Sequence, residues 1–311
     1  MSQVKRKGFF LVFSLGVLVL LSLFCLGLGF RTYIQTRTTK LFLNKQRAFY
    51  LAVSGVKIAR KVLEEDARAV DHLQEDWAKS IDEDIKFSSP EKEGTLSIRI
   101  EDESARINVN IMAEKMFIEE REEELTSIIK LFESRGVENA KEKIFYILDY
   151  IDEGYEPRLG NSDSKDEIKN DELSVQEELL LVKNISGEDY DKIKDFITVF
   201  GDGKMNINTV TEEMLGVLVN EQLKRQILTK RYGANFIEGD EDDEYYDTGS
   251  LVNLKDTYKP EKPDDKEQLE GFAVSSHFFR IISEADVEGV KKKITCVMNK
   301  DSGKILYWYE E

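Results

Sequence analysis

Lys5-Arg6-Lys7-Gly8-Phe9-Phe10-Leu11-Val12-Phe13 opens a run that carries no charge from Gly8 to Phe30. Its apolar part, Phe9 to Phe30, would rise about 33 Å as an α-helix, which matches the ~30 Å hydrocarbon thickness of a bilayer. This stretch decides the fold, because a membrane helix here places every folded domain after it.

Other readings of an apolar start meet specific objections. A cleaved secretory signal needs small residues of the Ala-x-Ala kind after its apolar core, whereas this run ends Leu26-Gly27-Leu28-Gly29-Phe30-Arg31. A lipoprotein cysteine needs a small residue before it, and Cys25 follows Phe24. Two readings remain, an ordinary single-span anchor and a prepilin leader. A short basic stretch, a glycine and then an aromatic residue opening the helix have the leader's form. Its cut would fall between Gly8 and Phe9 and leave the whole helix on the mature chain. The basic flanks do not set the orientation, since Arg31, Arg37 and Lys40 follow the span as well.

The chain of 311 residues holds 44 Lys and Arg against 61 Asp and Glu, a net charge of −17. That length can bury a core and more than one subdomain. Strong acidity argues against nucleic-acid binding, which needs clustered cations. The two cysteines, Cys25 in the apolar run and Cys296 in a late strand-like segment, give no disulfide framework.

No proline occurs before Pro90, and Phe49, Ala52, Val56, Ala59, Leu63, Ala67, Val70, Leu73 and Trp77 recur at steps of three or four. The pattern predicts a stalk helix over 31–80, continuous with the membrane helix and resting its apolar stripe on a small sheet. Thr95–Ile100 and Ala105–Asn110 alternate as strands. Helical patterns occupy 119–132, 138–150, two short pieces within 173–200, and 211–230. A polar linker covers 152–171, an acidic loop begins at Glu238, and a Lys/Pro/Asp loop spans 255–266. Strands return over 277–283, 292–298 and 305–309, with turns near Gly289 and at Asp301-Ser302-Gly303.

Ile107-Asn-Val-Asn110 followed by Glu114-Lys-Met116 is echoed by Met205-Asn-Ile-Asn208 followed by Glu212-Glu-Met214. Asparagine caps helix starts, so the repeat is read as capping and turn chemistry. It would also mark where the chain leaves a sheet, at Asn110, and returns, at Met205.

Catalytic motifs are missing: there is no Gly-x-Ser-x-Gly elbow, no His-Glu-x-x-His and no phosphate-binding loop, and the only histidines are His72 and His277. Leu180–Gly187 has the form of a helix-hairpin-helix turn, but Glu188, Asp189 and Asp191 beside it would repel phosphate. Asp240, Asp242, Asp243 and Asp247 could offer oxygens to calcium, yet Tyr245 stands where an EF-hand loop needs glycine. The loop reads as solvated.

Four features resemble the K-type minor pseudopilins of type II secretion. They are the Lys7-Gly8-Phe9-Phe10 opening; the stalk segment Gln46-Arg-Ala-Phe-Tyr-Leu-Ala52 with Gly55; Asp102-Glu-Ser-Ala-Arg-Ile-Asn-Val-Asn110; and the ordered pieces Leu148–Glu153, Glu156-Pro-Arg158, Glu177–Lys183 and Thr198–Thr209. The resemblance implies an α+β pilin-like fold. In it a long N-terminal transmembrane and stalk helix packs on a small antiparallel sheet, with a large all-α insertion of SAM-like or helix-hairpin-helix-like kind. Boundaries would be 1–8 leader, 9–30 membrane helix, 31–80 stalk, 81–110 first strands, 111–204 insertion, and 205–311 return to the sheet with a helix at 211–230 and an acidic loop at 238–266. Val53 departs from the glutamate common in the family's stalk segment.

The resemblance further implies a structural, non-enzymatic subunit in the bacterial inner membrane with its body in the periplasm. It would be cut after Gly8 and methylated on Phe9. Partners would be minor pseudopilins of the I, J and H types, the major pseudopilin, the prepilin peptidase and the inner-membrane assembly platform, with no nucleic acid. Phe13 stands at the fifth mature position, where most pilin subunits carry glutamate, and a chain without that glutamate suits the tip of the filament. Phe49, Ala52, Val56 and Leu63 are the expected assembly residues. No cofactor is expected beyond a structural calcium. Two alternatives are a minor pilin of a type IV pilus and a membrane-anchored DNA-uptake module.

Overall fold

The computed structural model describes residues 2–66, 69–86, 93–119, 122–151, 169–233, 235–236, 242–259 and 269–311. The chain begins as one helix, α1 (Ser2–Glu65), about 95 Å long at α-helical rise. Its continuity follows from the absence of proline and from the apolar and long-chain residues that fill it.

The stalk expected to reach residue 80 stops at Glu65, and the chain then turns back on itself. Acidic Glu64 and Glu65 fall in the last turn, where the helix dipole disfavours them, and no basic residue offsets them there. Beyond the turn, Asp66 and Asp71 are held by Lys300. Trp77 still enters the core, but from a short 3-10 turn, Asp76–Ala78, and edge-on to Phe279 at 5.0 Å.

The sheet is antiparallel throughout, in the order β1 (Ile81–Lys86), β2 (Glu93–Asp102), β7 (Phe278–Val287), β8 (Val290–Asn299), β9 (Lys304–Glu310). Ala52, Val56, Ala59 and Leu63 of α1 pack on Leu96, Ile98, Ile281, Ile294, Cys296 and Met298. The close approach depends on Gly55, where a Cβ would lie 2.1 Å from Ser283 Oγ. Ser283 Oγ in turn donates to the Ala52 carbonyl at 2.8 Å. The β7–β8 hairpin turns on Glu288 and Gly289, both at positive φ as a two-residue hairpin requires. Glu288 reaches the stalk, accepting from Lys40 and Asn44 at 2.8 Å each.

The helical insertion is larger than the sequence implied. The chain leaves the sheet after Asp102 and rejoins it at Phe278, not at Met205. Only Ile107–Asn108 of the expected Ala105–Asn110 strand is extended (β3), and a helix begins at Val109.

The insertion has two units. The first runs from β3 through α2 (Val109–Glu119), α3 (Glu122–Ser134), α4 (Ala140–Ile151) and α5 (Gly187–Ile193) to β4 (Ile197–Thr198), which pairs in parallel with β3. The second runs from β5 (Met205–Asn206) through α6 (Glu212–Leu218), α7 (Glu221–Arg231) and α8 (Thr248–Thr257) to β6 (Phe272–Ala273), which pairs in parallel with β5. One apolar core runs through both.

The helix expected over 211–230 is two helices, because the Asn220 side chain accepts from Leu223 N at 2.9 Å and starts α7 afresh. α8 lies inside the stretch expected as an acidic loop, started by a capping box between Asp247 and Ser250. Most of the expected 152–171 linker falls outside the described residues.

Gly55→Ala is expected to lower the thermal stability of the detergent-solubilised chain by about 1–3 kcal/mol, the usual range for overpacking. Adding Ser283→Ala should recover part of that loss. Equal melting of wild type and Gly55→Ala would show that the helix does not approach the sheet this closely.

Candidate assembly site and lobe junction

Two regions are built for something other than bulk packing: the lower half of α1, and the buried polar seam where insertion meets sheet.

On α1, Phe9 and Phe13 are exposed, with ring centroids 6.5 Å apart, and Gly8 precedes them within the same helix. No residue from Phe9 to Leu43 is buried. Residues 9–65 hold a helix long and apolar enough to cross a membrane. Higher on the helix the picture reverses. Ala52, Val56 and Leu63 are almost wholly buried beneath the chain's own sheet, and Phe49 is half-buried against it. Ala52, Val56 and Leu63 are therefore core residues that cannot reach another subunit without unpacking the head, while Phe49 keeps part of its ring exposed. The periodicity that marked them was genuine, but periodicity does not distinguish an internal sheet from an external partner.

The seam gathers the exit of α1, the end of β2, the start of β7 and the second unit of the insertion. Asp102 accepts from Thr209 Oγ1 and Ser276 Oγ at 2.5 Å each, and from Ser104 N at 2.8 Å. Asp71 accepts from Ser276 N at 2.7 Å and from Lys300 Nζ at 2.8 Å. Glu103, fully buried, accepts from Arg106 and Arg280, and Arg280 also donates to Gln176 of the insertion. Pairing of this kind is what makes buried charge tolerable. Burial pushes the Asp102 carboxyl up to about 6, against the hydrogen bonds from Ser276, Thr209 and Ser104 that favour its anion. Burial likewise raises Asp71, opposed by Lys300.

The repeated asparagines do structural work in matching ways. The first of each pair, Asn108 or Asn206, accepts from the backbone N–H two residues on, at 3.0 and 2.9 Å. The second grips a distant backbone with both ends of its amide. Asn110 accepts from Leu173 N and donates to Leu173 O, both at 2.9 Å. Asn208 accepts from Tyr246 N at 2.7 Å and donates to Tyr246 O at 2.9 Å. The turn chemistry expected of the first asparagine is present. The two-ended clamp of the second is not something sequence reasoning found, and its only available signal was the fixed Asn-x-Asn spacing.

Of the calcium candidates, Asp240 lies outside the described residues. Asp242 Oδ1 accepts from Asn235 at 3.2 Å, and Asp247 accepts from Ser250 N at 2.6 Å as the cap of α8. Asp243, half-buried, follows Asp242 in the same loop. Among the described residues, Asp66, Asp71 and Glu75 bring their oxygens closest together, within 4.8 Å. A cation already serves two of them, since Lys300 Nζ lies 2.8 Å from both Asp66 and Asp71. Glu75 accepts from Trp77 Nε1 and His72 N. The hairpin-like turn at Ser186 begins a short helix whose first residues include Glu188 and Asp189. Despite partial burial, Lys143 and Ser186 hold Asp189 down to about 2. That end presents anions, not phosphate donors. Cys296 is buried, and its thiol is pushed up to about 12.

No family model matches the chain. The chain is 24 % identical over 327 residues to type II secretion system protein K of Pseudomonas aeruginosa, covering 96 % of itself and 91 % of that protein. It also superposes with a TM-score of 0.66 on a chain of the GspK–GspI–GspJ complex from the enterotoxigenic Escherichia coli type 2 secretion system. That match covers 89 % of this chain and 99 % of the other at 18 % identity. The chain thus shares the fold of that structure, with a long apolar N-terminal helix on a small antiparallel sheet, and the α+β expectation holds.

Asp102 gives the head a defined pH response. Its folded carboxyl binds a proton more tightly than the unfolded chain does. The resulting stability is complete below 3.8 and is lost as pH rises through about 6. Denaturation of wild type and Asp102→Asn from pH 4.5 to 7 should show wild type alone losing what remains of this contribution at pH 4.5, on the order of 2 kcal/mol. Parallel curves would show that Asp102 does not titrate in this range. Separately, Asp247→Ala should lower the melting temperature equally with and without EGTA, and Asp247→Asn should restore most of it. A loss confined to calcium-containing buffer would make Asp247 a ligand instead of a cap.

Proposed function

We propose that this chain is a structural, non-enzymatic minor pseudopilin that sits at the tip of a type II secretion pseudopilus and supports protein export across the outer membrane. The observation that carries the reading is the similarity to protein K over 96 % of the chain. Membrane insertion would be single-pass in the inner membrane, with the body in the periplasm. Cleavage between Gly8 and Phe9 would leave an N-terminal ammonium, methylated on Phe9. Phe13 at the fifth mature position cannot neutralise a neighbour's ammonium, and a buried unpaired cation is costly. A subunit lacking that partner fits the end of a filament better than its middle.

The fold-level relative was crystallised with GspI and GspJ, which supports minor subunits of those types as partners here, with H-type and major pseudopilins and the assembly platform further along the same path. Because Ala52, Val56 and Leu63 are buried in the head, the contacts would fall to Phe13 and to exposed Leu41, Phe42 and Leu43. The insertion would form the bulky outer end, blocking addition above it. A structural calcium would fall to the loop of Asp242 and Asp243.

The test is co-expression with a prepilin peptidase followed by sequencing and mass measurement of the mature N-terminus. The expected product begins at Phe9 and carries one added methyl group. An intact Met1, or a start beyond Phe30, would overturn the proposal.

A further inference from the structure

From Arg31 to Leu63 the stalk carries Arg31, Arg37, Lys40, Lys45, Arg47, Lys57, Arg60 and Lys61 and not one acidic residue, in a chain of net charge −17. The upper cations have partners: Arg60 pairs with Glu64 at 2.6 Å and Lys61 with Glu65 at 3.4 Å. Among the described residues, the lowest ion pair between stalk and head is Lys40–Glu288. Residues 31–39 therefore form a bare neck between the apolar run and the head, exposed along its whole length.

Arg31 follows the last apolar residue directly, which puts it at the level of the lipid headgroups. Those extend roughly 5–8 Å beyond the hydrocarbon on each side. Arg37 stands about 9 Å higher along the helix, close enough for a long side chain to reach back toward the phosphates. Neither arginine has an ion-pair or hydrogen-bond partner among the described residues, although the chain has carboxylates in excess. Tyr33, between them and exposed, has the amphipathic ring that settles at the headgroup level. Thr32 and Thr36 donate to their own helix carbonyls at 3.0 and 2.9 Å, and the two guanidinium groups are the only cations in the neck. Around the helix axis Arg31 and Arg37 face different sides, so they make a collar and not a stripe.

We propose that this neck is a binding collar for anionic phospholipid headgroups in the leaflet beneath the head, with Arg31 and Arg37 as the phosphate-binding groups and Tyr33 as the interfacial anchor. The inference rests on the single-span reading above. Its consequence is electrostatic. The body beyond the stalk is strongly acidic and would be repelled by an anionic leaflet, while the collar attracts that same leaflet. The two together would hold the head at a fixed height on the neck.

The full chain, reconstituted in nanodiscs of phosphatidylcholine with a minor share of phosphatidylglycerol, tests this by mass spectrometry of the lipids that stay bound on gentle detergent extraction. Wild type is expected to enrich phosphatidylglycerol over the disc composition by at least about fivefold, shrinking at high salt. Arg31→Gln with Arg37→Gln should abolish the enrichment, Arg31→Lys with Arg37→Lys should keep most of it, and Lys5→Gln/Arg6→Gln/Lys7→Gln should leave it intact. Enrichment unchanged in the Arg31/Arg37 glutamine variant, or lost in the leader variant alone, overturns the proposal. A chain that does not enter the disc at all overturns the single-span reading along with it.

Discussion

The close seating of sheet side chains against the backbone of α1, at positions where the helix carries only small residues, sets the geometry of this protein. Ala52, Gly55, Val56 and Ala59 let α1 lie close on the sheet, and Ser283 fills the remaining gap by donating to the Ala52 carbonyl. Every strand that follows is placed by that contact. β7 and β8 lie beneath the helix, β2 extends the platform, and the β7–β8 turn reaches down far enough for Glu288 to meet Lys40. The same contact fixes the direction of the head on its stalk. The membrane end points one way along α1, and the insertion sits at the other.

The second constraint is the polar seam. Asp66, Asp71, Asp102, Glu103, Arg106, Arg280 and Lys300 come from four separated parts of the chain and meet in a small volume. Such a cluster adds little net stability over an apolar core, but it tolerates no mispairing. It therefore makes one arrangement of insertion against sheet far better than any other. Across the seam the Asn-x-Asn units act as internal splints, each closing its helical unit onto a backbone that is distant in sequence.

The local signals in the sequence carried a long way. The membrane helix, the stripe through Leu63, the three C-terminal strands and the hairpin at Gly289 follow from hydrophobic period and turn chemistry, which act over a few residues. What was not legible depends on distance. The stop at Glu65 needs Lys300 to draw Asp66 and Asp71 away from a helical path. The edge strand Ile81–Lys86 shows too little alternation to be read alone. The start of α8 was visible as Asp247-x-x-Ser250, yet the acidic run before it reads as loop. The return to the sheet at Phe278 was misplaced because Met205-Asn206 is a strand in its own right, paired with Phe272-Ala273 and not with the main sheet. As for the assembly surface, the sequence marked an apolar face correctly and could not say that the chain itself would cover it.

The point of entry of the insertion has a consequence of its own. Asp102 and Phe279 are register partners on neighbouring strands, so everything between β2 and β7 departs from and returns to a single rung of the ladder. A short reverse turn would bridge that gap. The sheet with its rod is thus complete without the helical lobe, and the lobe behaves as cargo on a hairpin. An ancestral chain could have acquired it by insertion at one loop, leaving the register of every flanking strand untouched.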